Sequence, residues 1–319
     1  MFWAIAFVLF LMNWGIGAGL LAAPGSSEKT IRINAVQANI SREDKSNIEL
    51  YDQNIEHHMA LIRESLAGGP ADLVVWPETA FISDVLQDAV WRPRLEEAAR
   101  QSKVSFLIGA ALLKDGHNVN SAVLLSPEGR WKDVYGKRHL VPFSEYRPVF
   151  PAAEPIISAL GKKAYDFVPG TRSGILFLGK TPFGVAICSE EGYPTLFREL
   201  ALQGAGFMVV MLNDGWFRYP QALKMHAFNS IFRAVETRRV VVRIANTGWT
   251  VAFDAYGRRV FASPVALQRA GFGTFDIVPG QGCSPYVMFG DFFAVLCWAF
   301  VIIVLVVGAV LSRKKKIKE

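Results

Sequence analysis

Cysteine is scarce in this chain. There are three in 319 residues, at positions 188, 283 and 297, with no CxxC pair and no zinc-type spacing. That excludes a disulfide framework and a cysteine-based zinc site. Charged residues are also few, 19 % against 51 % hydrophobic, which excludes a disordered or charge-rich fibrous chain. No internal repeat, low-complexity tract or inter-domain linker is present, and neither a GxSxG elbow nor an HExxH helix occurs. The run GIGAG at 15–19 lies inside an apolar segment, so it is no dinucleotide loop. The net charge of +6 does not point to nucleic acid. Residues 313–319 hold five basic residues and one acid and supply +4 of it, leaving an ordinary +2 for the rest.

What the chain has in excess is two long apolar runs, residues 1–23 and 292–311. Each reaches the roughly 20 residues that a membrane-spanning helix needs. The basic tail 312–319 follows the second run at once, the pattern of a cytoplasmic flank. The expectation is a transmembrane helix at each end, a folded domain at 31–279 on the extracytoplasmic side, and a cytoplasmic C-terminus. Gly15 and Gly19 form a GxxxG of the kind that packs helices closely.

Between the runs, the spacing predicts strands at 31–40, 72–76, 104–111 and 119–126, with helices at 46–66 and 84–101. A long loop rich in proline and aromatics follows over 138–169. Then come a hairpin at 175–178 and 183–188, a helix at 194–203, a strand at 207–212, a helix at 221–239, a strand at 240–245, a hairpin over 251–261 and a closing strand at 273–277. Wholly apolar strands alternating with helices indicate an α/β fold with covered sheets.

Three polar residues stand at predicted strand ends, where α/β folds place their active groups. Glu78 follows DLVVWP, Lys137 follows WKDVYG, and Cys188 ends FGVAIC. A carboxylate, an ammonium and a thiol make a coherent nucleophile set. The carboxylate takes the thiol proton, and the ammonium lowers the thiol pKa and stabilises an oxyanion. The backbone N–H of Ser189 is a second oxyanion donor. Each residue also has a plain structural reading: Glu78 as a helix-start carboxylate, Lys137 as a solvated turn lysine, Cys188 as a small core hydrophobe.

The segments WPETA (76–80), YGKRHLVPFSEYRP (135–148) and ICSEEGYP (187–194) resemble the three signature segments of the carbon–nitrogen hydrolase (nitrilase) superfamily, in that family's order. The stretch KRHLVPFSEY and the C-terminal apolar run with its basic tail resemble most closely the apolipoprotein N-acyltransferase branch. The resemblance covers about 31–277. It implies a four-layer α-β-β-α sandwich with Glu78 as general base, Lys137 as oxyanion-stabilising cation and Cys188 as nucleophile. Glu145 and Glu190 match two further glutamates of the branch, expected to hold the lysine and shape the thioester site. No cofactor or metal is implied. The implied partners are a phospholipid acyl donor and a diacylglyceryl-cysteine lipoprotein acceptor at the bacterial inner membrane. A membrane-anchored amidase acting on a small amide, and a catalytically silent relative, stay open as alternatives. The chain departs from the family at Ser189, where a tyrosine is usual, and it carries one apolar segment ahead of the domain where the family carries several.

Two loops, 140–150 and 214–219, set aromatics beside arginine and proline. This suits a bilayer interface and nominates Phe143, Tyr146, Trp216 and Phe217 as lipid-facing, the alternative being that they pack under their loops. His57 and His58 are adjacent on a helix beside Glu56 and point to different faces, which argues against a metal site. His139 and His226 read as structural histidines, and Arg233 with Glu236 as a helix pair.

Overall fold

The computed structural model describes residues 2–22, 30–148, 167–216, 219–260 and 268–318. Two sheets form its centre. The first has strands β1 (Ile31–Gln37), β2 (Leu73–Val75), β3 (Ser105–Lys114), β4 (His117–Leu125), β5 (Trp131–Gly136) and β11 (Gly271–Ile277), in the order β11-β1-β2-β3-β4-β5. The second has β6 (Ile175–Leu178), β7 (Thr181–Ile187), β8 (Phe207–Leu212), β9 (Val240–Ala245) and β10 (Val251–Phe253), in the order β10-β9-β8-β7-β6.

The apolar strands divide their side chains by parity, because successive residues of a strand face opposite ways. Ile33, Leu73, Val75 and Leu107 of the first sheet meet Phe183, Val185, Val209 and Val242 of the second in one core between the sheets. The opposite faces are covered by helices. Val36, Val74, Phe106 and Ile108 pack under α3 (Tyr51–Ala67) and α4 (Trp91–Ser102). Met208, Val210 and Val241 pack under α5 (Pro194–Leu202) and α6 (Pro220–Thr237). The succession is helix, sheet, sheet, helix.

Several boundaries differ from the expected ones, each for a local reason. The helix expected at 46–66 begins at Tyr51, after a separate short helix α2 (Arg42–Ser46). Asn47 divides them: its backbone is extended and its side chain accepts from Glu49 N at 3.0 Å. The helix expected at 84–101 begins at Trp91. Asp88 Oδ1 accepts from the N–H groups of Val90 and Trp91 at 2.9 and 2.8 Å, which caps the helix there and leaves 84–90 in turns. The string GILFLGKT at 174–181 fits the phosphate-loop pattern GxxxxGK[ST], yet it is the β6–β7 hairpin, with Gly179 at φ +60° in its turn. It offers no helix N-terminus to a phosphate.

At the ends of the chain lie α1 (Phe2–Ala22) and, after the short α7 (Pro285–Phe289), α8 (Phe292–Lys318). Among the described residues, one segment is long and apolar enough to cross a membrane, Phe292–Val310 of α8, none of it buried in the protein. Gly15 and Gly19 of α1 have no neighbour within 4 Å of where a Cβ would sit.

One close approach matters for the site. A Cβ on Gly109 of β3 would lie 2.1 Å from Pro77 O and 2.7 Å from Thr79 N. Only glycine lets β3 pass beneath the turn that carries Glu78. Gly109→Ala is expected to cost about 1–3 kcal/mol, read as a lower midpoint of chemical unfolding in detergent-purified protein.

Candidate active site

β1, β2, β3 and β5 run in one direction in the first sheet, and β7, β8 and β9 run parallel in the second. Glu78 follows β2, Lys137 follows β5, and Cys188 follows β7. Cys188 does not end a strand, as the apolar run suggested. It opens a 3-10 turn (Cys188–Gly192) with φ +54°, a left-handed backbone that turns the residue sharply out of the sheet. Thr79, next to Glu78, is likewise left-handed at φ +44°.

Lys137 is fully buried. Its Nζ donates to both oxygens of Glu145 at 2.8 Å and lies 3.9 Å from Glu78 Oε1. Burial alone lowers the ammonium's pKa, but the charges of Cys188, Glu78 and Glu145 outweigh it and raise the pKa above the ordinary lysine value. Lys137 is therefore a permanent cation. Glu145 reaches it through a tight turn: Glu145 N donates to Val141 O at 2.9 Å, and Val141 N donates to Glu145 Oε2 at 2.7 Å. The long loop is thus ordered around the lysine where it is described.

Glu78 is held on both oxygens. Asn120 Nδ2 of β4 donates to Oε1 at 2.8 Å and also reaches Glu145 Oε1 at 3.3 Å, and Asn213 N, just past β8, donates to Oε2 at 2.9 Å. Asn246, just past β9, donates to Asn213 Oδ1 at 2.9 Å and to Ile40 O at 2.8 Å. Lys45 Nζ of α2 donates to Glu78 O at 2.8 Å.

Cys188 keeps part of its surface accessible. Its thiol pKa is pushed well above the ordinary value, first by burial, then by Glu78, with Asp214 and Glu145 adding to the rise and Lys137 opposing it. At neutral pH the group is a thiol, not a standing thiolate.

Glu190 does not reach Lys137 as expected. Its carboxylate accepts from Tyr135 Oη at 2.8 Å and from the backbone N–H groups of Arg138, His139 and Ile187 at 2.7, 3.0 and 2.9 Å. It therefore ties the segment after β5 to the turn that carries Cys188. Ser189 Oγ donates to His139 O at 3.4 Å, a further link between the same two segments.

Behind that turn lies a cluster that sequence reasoning missed. Arg243 of β9, fully buried, donates to Asp214 Oδ2 at 2.7 Å and to Glu191 Oε1 at 3.3 Å. His226 Nδ1 lies 3.0 Å from Asp214 Oδ1, and Ser230 Oγ donates to Glu191. Burial would raise the Asp214 pKa, but Arg243 and His226 hold it below the usual carboxylate range.

Of the predicted lipid-facing residues, Phe143 and Tyr146 are half-buried, and Trp216 is 40 % exposed with the Arg42 guanidinium 3.9 Å over its ring. Phe217 lies outside the described residues. His58 stacks on Trp76 at 5.0 Å, His139 on Tyr193 at 4.2 Å, and Arg233 pairs with Glu236 at 2.8 Å. Among the described residues, no three His, Cys, Asp or Glu side chains come together as a metal cage.

Comparison with known proteins gives a consistent picture. The sequence profile described as carbon–nitrogen hydrolase matches residues 32–268. The protein named apolipoprotein N-acyltransferase from Geobacter metallireducens is 34 % identical over 320 residues, covering 97 % of this chain and 59 % of its own length. Its namesake from Thermotoga maritima is 31 % identical, covering 98 % and 57 %. The chain thus spans less than two-thirds of these relatives. Among solved structures, Nit3 of Saccharomyces cerevisiae, described as a nitrilase-superfamily member, superposes with TM-score 0.62 at 18 % identity over 81 % of this chain and 93 % of that one. A mutant amidase of Nesterenkonia sp. AN1, described as carrying acrylamide added at its active-site cysteine, gives 0.59 at 16 % identity over 84 % and 99 %. At such identities the likeness is one of fold.

Two outcomes follow from the geometry. Lys137→Met leaves Glu78 and Glu145 buried without their cation and is expected to destabilise the protein by about 3–5 kcal/mol, seen in thermal or chemical unfolding. Glu78→Gln removes the charge that, after burial, most opposes thiolate formation. The Cys188 thiol is expected to ionise at lower pH in that variant, read as an earlier onset of thiolate absorbance in a pH titration compared with Cys188→Ala.

Proposed function

The chain belongs to the carbon–nitrogen hydrolase family, and from that premise we propose that it is a membrane-bound N-acyltransferase working through a Cys188 thioester. The supporting observation is the buried Lys137 ammonium set between Glu78 and Glu145 in the field of the Cys188 thiol. It occurs in a chain similar over nearly its whole length to proteins named apolipoprotein N-acyltransferase.

In this reading the donor is a phospholipid. Glu78 takes the Cys188 proton as Sγ attacks the ester carbonyl, because a thiol with so high a pKa has no standing thiolate to offer. Lys137 Nζ and the Ser189 backbone N–H hold the oxyanion. The C–O bond breaks, Glu78 returns its proton to the departing lysophospholipid oxygen, and the acyl group rests on Cys188. The α-amino group of a diacylglyceryl-cysteine lipoprotein then attacks the thioester, giving up a proton to Glu78. The C–S bond breaks, an amide forms, and Cys188 recovers its proton. A thioester suits this acceptor, being reactive toward amines and protectable from water by surrounding loops.

The placement belongs to the same proposal. α8 spans the bacterial inner membrane with its basic end in the cytoplasm, and the catalytic domain lies on the periplasmic side. Trp216 sits at the lipid interface. Phe143 and Tyr146, half-buried, line the loop beside the site.

Intact-mass spectrometry of the detergent-purified protein after incubation with phospholipid alone tests this. The expected result is a hydroxylamine-sensitive gain of one acyl chain that maps to Cys188 and is lost in Cys188→Ala. No adduct, together with ammonia released from small amides, would assign the chain to amide hydrolysis instead. No adduct and no hydrolysis would make it a silent relative.

A further inference from the structure

The short helix α2 stands at the rim of the site and touches both sheets' loops. Ser41 Oγ starts it by accepting from Asp44 N at 3.0 Å, and Asn54 Nδ2 of α3 fastens its end by donating to Asp44 O at 3.0 Å. Two cations leave this helix for the site. Arg42 covers the Trp216 ring after β8, and Lys45 Nζ bonds the carbonyl of Glu78 after β2 at 2.8 Å.

Lys45 differs in kind from Lys137. Its hydrogen bond goes to a neutral carbonyl rather than to a carboxylate. Burial accordingly lowers its pKa to about 8, with the charges of Glu78 and Cys188 working against the fall. The other ionisable groups around it are His58 and Tyr51 of α3, which line the same small recess. Burial holds His58 neutral, with a pKa of about 3, and keeps Tyr51 protonated. Neither supplies a charge that would substitute for Lys45.

The Cys188 thiol, meanwhile, faces three carboxylates that resist its ionisation, Glu78, Asp214 and Glu145, against the single ammonium of Lys137. We propose that Lys45 is a second lysine of this site: a positioning residue that fixes the Glu78 main chain through its carbonyl and adds positive charge to the field of Cys188 as the thiolate forms. This rests on the reading of Cys188 as nucleophile and Glu78 as base. Gly109 holds the Glu78 turn from beneath and Lys45 holds it by the carbonyl, so the carboxylate meets Asn120 and Asn213 in one orientation. When Lys45 loses its proton, the bond to Glu78 O persists through a neutral amine but the charge does not. The site then carries a structural contact at all pH values and an electrostatic one only below about pH 8.

The test uses the whole 319-residue chain in detergent, with Lys45→Met and Lys45→Arg. Two rates are followed from pH 6 to 10: alkylation by iodoacetamide mapped to the Cys188 peptide, which separates it from Cys283 and Cys297, and acyl-adduct formation from phospholipid. Lys45→Met is expected to slow both about tenfold at pH 7, the effect of one pKa unit on the thiol. Lys45→Arg is expected to hold near the parent rate at pH 7 and to exceed it increasingly above pH 8, because the guanidinium keeps its charge there. Lys45→Met profiles that coincide with the parent at every pH would overturn the proposal. So would equal losses in both variants with unchanged profile shape, which would leave Lys45 a packing residue only. Cys188→Ala separates the two readings. If it still takes up acyl chains, the nucleophile assignment fails, whatever Lys45 does.

Discussion

An ammonium with no contact to solvent must bring its counter-charges with it, and much of this site follows from where Lys137 sits. Its position directly after β5 puts Nζ between the ends of two sheets. Glu145 answers it by way of the 141–145 turn, so a proline-rich stretch with no periodicity acquires a defined shape there. Glu78 answers from β2, and Asn120 donates to both carboxylates. A single buried cation thus draws β2, β4, β5 and a long loop to one point.

The turn that carries Cys188 is organised by a second set of buried charges that share no atom with the first. Glu190 gathers three backbone N–H groups and the Tyr135 hydroxyl, and Glu191 meets Arg243 and Ser230. These two adjacent carboxylates anchor the 3-10 turn that begins at Cys188, whose left-handed backbone needs such support. Asp214 and His226 extend the cluster to the loop that carries Trp216. The carboxylates also act on the thiol. Burial first, and then Glu78, Asp214 and Glu145, oppose its ionisation and keep Cys188 protonated. A protonated thiol resists oxidation.

The alternation of strands and helices was legible in the chain because both sheets are buried on both faces. A strand such as FMVVML (207–212) must then be apolar throughout, and it fills the inter-sheet core with one parity and the helix-facing core with the other. Glu78, Lys137 and Cys188 were legible for a related reason: a charged or reactive residue ending an apolar run stands out. Helix starts were less so. Asp88 caps a helix that periodicity placed at residue 84, and Asn47 divides one that periodicity joined.

The sequence by itself determined the layered fold, the order of the three site residues and an apolar C-terminal helix with a basic end, since each is written in local composition. Only the tertiary structure decided which groups surround them. Asn120 inside β4 and Asn213 and Asn246 just past β8 and β9 are ordinary polar residues, Lys45 is one lysine in a charged stretch, and Arg243 lies unmarked inside VVVRIA. Their roles come from partners far apart in the chain, Asn213 and Glu78 for example, or Arg243 and Glu191. Glu190 shows the same limit from the other side. The resemblance to the acyltransferase branch suggested the lysine as its partner, while packing gave it the backbone instead. Long-range pairing of buried charges is set by how the two sheets meet, and no local pattern encodes that meeting.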